Sequence, residues 1–168
     1  YNLDPEHIGV MGWSAGGHLA ALAGTADETA GWETGEYLDQ SSRVQAVVSL
    51  AGLSDLTRPM DADLSASINE AFGQPGGIPS PELVAASPIA YVTPDDPPFF
   101  IVHGTQDAVV SYDQSQALHA WLTAAGVPST LVTVQDGDHH LRGETASPEL
   151  SELIELVKAF LLEALAKP

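Results

Sequence analysis

The chain contains no cysteine, and this absence excludes disulfide bonds and metal sites built on thiolates. Basic residues are scarce as well: five lysines and arginines accompany 23 aspartates and glutamates, for a formal net charge of −18. Such a surface repels phosphate groups, so nucleic acid and anionic membranes are disfavoured as partners. The sequence also lacks a run of 18 apolar residues, and no segment is therefore predicted to cross a membrane.

The length and the hydrophobic content of the chain are typical of one globular domain over residues 1–168. Hydrophobic residues make up 44% of the chain, which is enough for a sizeable core. Apolar runs typical of buried strands alternate with helix-forming stretches, and this alternation predicts an α/β fold with a mainly parallel sheet. We expect about four strands, flanked by helices on both faces.

The pattern also predicts where the elements lie. The expected strands are residues 8–11, 44–52, 98–104 and 129–135. The expected helices are residues 15–25, 111–125 and 147–165, with short helical pieces near 61–72 and 80–86. Ser111 and Ser147 are the predicted caps of two of these helices. Residues 53–97 are rich in Pro, Gly, Ser and Asp, and we interpret them as a cap-like excursion over a functional site.

The stretch Gly12-Trp13-Ser14-Ala15-Gly16 joins the first predicted strand to the first predicted helix. A Gly-x-Ser-x-Gly sequence in this context is typical of a sharp turn that exposes a nucleophilic serine. The turn strains the serine backbone, and we expect any side chain at Gly12 or Gly16 to make strand and helix collide. Ser14 is therefore the candidate nucleophile. The alternative is a glycine-rich turn that only caps the helix.

A serine nucleophile needs a base, and the base needs a group that orients it. In parallel sheets such side chains lie in loops after the carboxyl ends of strands. Asp107 follows the third predicted strand, and His139 and His140 follow the fourth. The order Ser, Asp, His along the chain is the order that accompanies this type of serine turn. Loop position alone does not distinguish His139 from His140.

Other acids and histidines have simpler explanations. Asp113 lies in the first turn of a predicted helix, where stabilising the helix dipole explains it, whereas Asp107 has no such duty. His103 stands at a strand end and is predicted to be structural. His18 follows Ser14 on the same helix, and we expect it to pack or to form a hydrogen bond.

The loop after the last strand also offers an alternative to serine chemistry. Asp136 and Asp138 stand beside His139 and His140, and such residues bind hard metals in other proteins. No second set of ligands stands out elsewhere in the sequence. We therefore predict no metal site.

Residues 4–20, from Asp4-Pro5-Glu6 to His18-Leu19-Ala20, resemble the nucleophile region of the α/β-hydrolase superfamily. The similar branches are the carboxylesterases, the hormone-sensitive-lipase-like enzymes and the acetyl/feruloyl xylan esterase-like enzymes. Residues 97–110 resemble the acid-bearing segment of that family, which implies Asp107. Residues 137–141 resemble its Gly-x-x-His-Gly-Phe loop, and this match places the catalytic histidine at His139. His140 stands where that family usually has glycine.

The resemblance covers the second half of the family's domain and implies a partial α/β-hydrolase fold. It implies a serine ester hydrolase that needs no cofactor, forms an acyl-enzyme and acts on small, short-chain or polysaccharide-linked esters. The Ala15 N–H is the implied oxyanion donor. The family's His-Gly-Gly-Gly loop does not precede Ser14, and Gly76-Gly77 offer formal alternative donors. The rival interpretations are a prolyl-oligopeptidase-type serine peptidase and a folded but inactive interaction domain.

The first strand is expected to be interior in that family's sheet. Only a short polar segment precedes Ile8 here, so nothing upstream in these residues can pair with the strand. Bare strand edges recruit other strands. We therefore expect either that the chain forms a homo-oligomer across this edge or that it is part of a longer polypeptide.

Overall fold

A computed structural model describes residues 3–72 and 80–166. The strands are β1 (Gly9–Trp13), β2 (Ala46–Leu50), β3 (Phe99–Gly104) and β4 (Ser129–Val134). The helices are α1 (Ala15–Thr25), α2 (Ala62–Ala71), α3 (Pro81–Ala85), α4 (Asp113–Ala125) and α5 (Leu150–Ala164), with 3₁₀ turns at Glu28–Ala30 and Pro88–Ala90. None of the helices in the described ranges is long and apolar enough to span a membrane.

The four strands form one parallel sheet in the order β1-β2-β3-β4. Alternate residues along each strand point to opposite faces, because the side-chain period of a strand is two. Val47 and Phe99 therefore share a core cluster with residues of α1 and α4, whereas Val48 and Phe100 share one with residues of α5. The predicted sheet with helices on both faces is confirmed.

Two helices begin later than predicted. The α4 helix begins at Asp113, because the Gln114 side chain is buried and binds backbone amides after β2 instead of closing a cap with Ser111. The α5 helix begins at Leu150, because Ser147 pairs with Gln135 in an antiparallel bridge. Its cap is formed by the two glutamates at 149 and 152.

The described part of residues 53–97 lies beside the loop that follows β3. Its buried side chains Leu53, Leu56 and Leu83 form a core cluster with Val110, three residues after Asp107. The segment therefore borders the loop that carries the candidate acid. Its role as a cap, and the division of residues 1–168 into a single domain, stay predictions.

The β1 edge of the sheet has no neighbouring strand in the described part of the chain. Among the residues that the structure describes, β1 pairs only with β2. Met11 on β1 is 58% exposed, and beside it α5 presents the exposed apolar residues Ile154 and Leu162. Met11 and these α5 side chains line one open apolar groove.

Candidate active site

Ser14 occupies a strained turn between β1 and α1. Its backbone has φ 56° and ψ −120°, a left-handed φ that costs a residue with a side chain about 1–3 kcal/mol. The Ser14 N–H donates to the Leu50 carbonyl at 2.8 Å, which ties the turn to the end of β2. The turn places Ser14 at the N-terminus of α1, as the sequence predicts.

The glycines of this turn differ in what they do. A Cβ on Gly12 would lie 2.0 Å from the Gly16 carbonyl oxygen, so Gly12 must lack a side chain. A Cβ on Gly16 would meet no atom within 4 Å, and the prediction for Gly16 is wrong. In this first turn of α1 the glycine that must lack a side chain is Gly17, whose Cβ would lie 2.8 Å from the Leu50 carbonyl oxygen. The helix brings the carbonyl of Gly16, and not its α-carbon, close to the strand.

Three side chains from three loops meet at the carboxyl end of the sheet. Ser14 Oγ lies 2.8 Å from His139 Nε2, and His139 Nδ1 lies 2.7 Å from Asp107 Oδ2. An ionised Asp107 cannot donate, so Nδ1 carries the proton and Nε2 accepts from the Ser14 hydroxyl. The structure thus brings together the three residues that the sequence singles out, in one continuous hydrogen-bond chain.

The Asp107 carboxylate is buried and held by four donors. Oδ1 accepts the N–H groups of Val109 and Val110 at 2.9 and 2.8 Å. Oδ2 lies 2.7 Å from His139 Nδ1 and 3.1 Å from His103 Nε2. Burial raises the pKa of Asp107, but the two histidines and the two amides together outweigh it and lower the pKa to about 2. The carboxylate is therefore ionised at neutral pH.

Trp13 holds the backbone and the ring of His139. Its indole N–H donates to the His139 carbonyl oxygen at 2.8 Å. Its ring lies 4.9 Å from the His139 ring and, stacked at 25°, 4.9 Å from the His140 ring. This contact is not among those that the sequence predicts. The available signal is the position of Trp13 directly before Ser14, which puts an aromatic side chain at the end of β1.

The remaining candidates lie elsewhere. His140 is exposed and stacks on Trp13, and Asp113 is exposed in the first turn of α4. His18 is buried, its Nδ1 lies 3.2 Å from the Leu53 carbonyl oxygen, and burial lowers its pKa. The packing and hydrogen-bonding role predicted for His18 is confirmed. His103 is fully buried, as a structural residue would be, but its contact with Asp107 was not foreseen.

The carboxylates of the loop after β4 are bound by the loop itself. Asp138 Oδ1 accepts the N–H groups of His140 and Arg142 at 2.8 and 3.0 Å, and Asp136 Oδ2 accepts the Thr145 hydroxyl at 2.9 Å. Within residues 3–72 and 80–166, no three histidine or acidic side chains gather as metal ligands would.

The Ala15 N–H belongs to the first turn of α1, whose donors have no acceptor inside the helix. The positive end of the helix dipole lies at the same place. Both features suit an oxyanion donor, and this role of Ala15 stays a prediction. Gly76 and Gly77, the formal alternatives, lie outside the described residues.

The fold and sequence both have known relatives among esterases. A truncated carbohydrate esterase from gut microbiota superimposes with a TM-score of 0.78 at 31% identity, covering 99% of this chain and 62% of that one. An acylaminoacyl peptidase superimposes with a TM-score of 0.74 at 20% identity, over 95% of this chain and 24% of that one. The likeness to the peptidase shows a shared fold alone.

The carbohydrate esterase and a relative in sequence, in contrast, define the class of the protein as an α/β-hydrolase of the esterase type. Esterase LipQ of Mycobacterium tuberculosis is 33% identical over 164 residues, which are 96% of this chain and 39% of LipQ. Residues 1–122 match the family BD-FAE, and the chain belongs to that family of α/β-hydrolase esterases. It spans about two fifths of the length of LipQ.

Proposed function

We propose that this chain carries the catalytic residues of a carboxylic ester hydrolase that works through Ser14, His139 and Asp107. The observation that supports this most is the unbroken chain from Ser14 Oγ through both nitrogens of His139 to Asp107 Oδ2, with distances of 2.8 and 2.7 Å. The strained backbone of Ser14 adds to it, since such strain is kept where function requires it.

In the proposed reaction the Ser14 oxygen attacks the ester carbonyl carbon while His139 Nε2 takes the hydroxyl proton. Asp107 holds the imidazole in the Nδ1–H tautomer and stabilises the imidazolium. The Ala15 N–H stabilises the negative oxygen of the tetrahedral intermediate. His139 then gives its proton to the departing alcohol. Water, activated by His139, splits the acyl-enzyme and releases the carboxylic acid.

The charge of the chain narrows the substrate class. A net charge of −18 disfavours anionic substrates and suits neutral esters. Short-chain esters, free or attached to a carbohydrate, are the proposed substrates. The carbohydrate esterase among the structural relatives supports the second kind.

The test compares p-nitrophenyl acetate with the matched amide, p-nitroacetanilide, on the chain and on Ser14→Ala. We expect hydrolysis of the ester alone, and a loss of about 10⁴-fold or more in Ser14→Ala with unchanged folding. Comparable turnover of the amide would favour the peptidase. Equal ester turnover in Ser14→Ala and the parent, or none in the parent, would contradict the proposal.

A further inference from the structure

A second histidine lies against the acid of the proposed triad. His103 belongs to the end of β3 and is fully buried. Its Nε2 lies 3.1 Å from Asp107 Oδ2, the same oxygen that His139 Nδ1 approaches at 2.7 Å. The carboxylate is thus placed between two imidazole rings, one in the core and one beside Ser14.

The contacts of His103 determine where its protons are. Nε2 faces the Val110 carbonyl oxygen at 2.9 Å and the ionised carboxylate of Asp107, neither of which can donate. Nε2 must therefore carry a hydrogen, which it shares between the two acceptors, with Val110 the nearer. Nδ1 lies 2.7 Å from Ser115 Oγ, whose hydroxyl donates to it when the ring is neutral. Both nitrogens are thus engaged.

The backbone of Val110 forms a second, indirect link between His103 and Asp107. Its carbonyl accepts from His103, and its own N–H donates to Asp107 Oδ1 at 2.8 Å. His103 therefore holds the carboxylate directly through Oδ2 and indirectly through the loop that binds Oδ1. Packing alone does not require this, because an apolar side chain fills a core without the cost of burying polar atoms. A fully bonded buried network instead fixes one geometry.

We propose that His103 is a positioning residue, which fixes the carboxylate of Asp107 from within the core and is itself oriented by Ser115. This inference rests on the proposed function, because orienting Asp107 affects the rate only if Asp107 orients His139. The titratable side chains that contact the carboxylate are His103 and His139, and Asp138 interacts with it through its charge. The Tyr112 ring lies 5.8 Å from that of His103, and the His140 ring lies 5.9 Å from that of His139.

Three variants and one control test the proposal by ester kinetics. His103→Leu removes the donor, whereas His103→Gln keeps an N–H at a similar distance from the backbone. We expect His103→Leu to lower kcat by up to about 100-fold with an unchanged KM, because the acid is misplaced. His103→Gln should recover most of that loss. Ser115→Ala, which removes one hydrogen bond of His103, should lower kcat about fivefold.

The matched control is His119→Ala. His119 also bonds a serine, with Nδ1 2.9 Å from Ser129 Oγ, but this pair is remote from the triad in its contacts. We expect an unchanged kcat. If folded His103→Leu and Ser115→Ala both keep the kcat of this control, His103 is only a packing residue and the proposal is wrong. Ser115→Ala and His103→Gln keep the test valid if His103→Leu does not fold.

A spectroscopic signal separates this inference from the proposed function. The His139 Nδ1–H, bonded to Asp107, is expected to give a proton resonance far downfield in the NMR spectrum. In His103→Leu this resonance should shift, whereas in His119→Ala it should stay in place. A chain without ester turnover would contradict the proposed function, while the resonance would still test the contact. An unshifted resonance in folded His103→Leu would overturn the inference.

Discussion

The strands β3 and β1 belong to one sheet but differ in burial and in pairing. Every residue of β3 is buried, and the strand is paired on both sides. In the described part of the chain β1 is paired on one side only, and Met11 and Trp13 are 58% and 42% exposed. The acid beyond β3 is accordingly held by four donors, whereas Ser14 beyond β1 depends on its backbone turn and one histidine. The carboxylate that orients the proposed base is thus held in the core, while the proposed nucleophile lies at the β1 edge.

The two adjacent histidines after β4 are expected to give the largest contrast. His139→Ala removes the base and should lower ester turnover by about 10⁴-fold or more, because the triad acts as a unit. His140→Ala removes one stacking contact with Trp13, of about 0.5–1.5 kcal/mol, and should lower turnover by no more than about tenfold. Steady-state kinetics of both variants measure this. Loss of activity in His140→Ala alone would move the base to His140.

The two acids near β3 should differ almost as much. Asp107→Asn stabilises the wrong tautomer of His139 and should lower kcat by up to about 10⁴-fold with the fold intact. Asp113→Asn should keep its turnover and cost about 0.3–1 kcal/mol of unfolding free energy, since Asp113 lies in the first turn of α4. Kinetics and denaturant unfolding measure the two effects. Reversed effects would assign the orienting role to Asp113.

The depressed pKa of Asp107 predicts a smaller effect on stability. Its pKa falls from 3.8 to about 2 on folding, so its contribution is present above about pH 4 and is lost as the pH falls toward 2. That contribution is about 2 kcal/mol. The difference in unfolding free energy between the parent and Asp107→Asn should shrink by this amount over that range. A difference that is constant with pH would show that the donors do not depress the pKa.

The smallest effect is expected at the β1 edge. We expect the chain to self-associate weakly there, because an unpaired edge beside an apolar groove favours pairing. Light scattering should give a mass that rises above 17.6 kDa with concentration. Met11→Lys should reduce the rise, whereas Val84→Lys on α3, also at an exposed position, should not. A monomer at every concentration would contradict the expectation.

The fold and the three residues of the proposed triad could be singled out because each depends on a local pattern. Ser14 lies in a recognisable strand–turn–helix sequence, and Asp107 and His139 follow apolar runs that end at the same edge of a parallel sheet. The family resemblance distinguished His139 from His140, which local reasoning did not.

Contacts that depend on the three-dimensional path of the chain were not predictable. Trp13 donates a hydrogen bond to His139 across 126 positions, and the position of Trp13 beside Ser14 does not indicate which distant residue its indole N–H reaches. His103 is four residues from Asp107, but only the backward turn of the loop brings Nε2 to the carboxylate. The requirement for Gly17 instead of Gly16 depends on how closely α1 passes the end of β2, which the pattern does not specify.

Covalent labelling shows directly whether Ser14 is a nucleophile that His139 activates. The intact chain, His139→Ala and Ser14→Ala are treated with a fluorophosphonate, and the adduct is located by peptide mass spectrometry. We expect one adduct, on Ser14. It should form rapidly in the intact chain, far more slowly in His139→Ala and not at all in Ser14→Ala. An unlabelled chain, or an adduct on Ser14 that forms equally fast without His139, would contradict it.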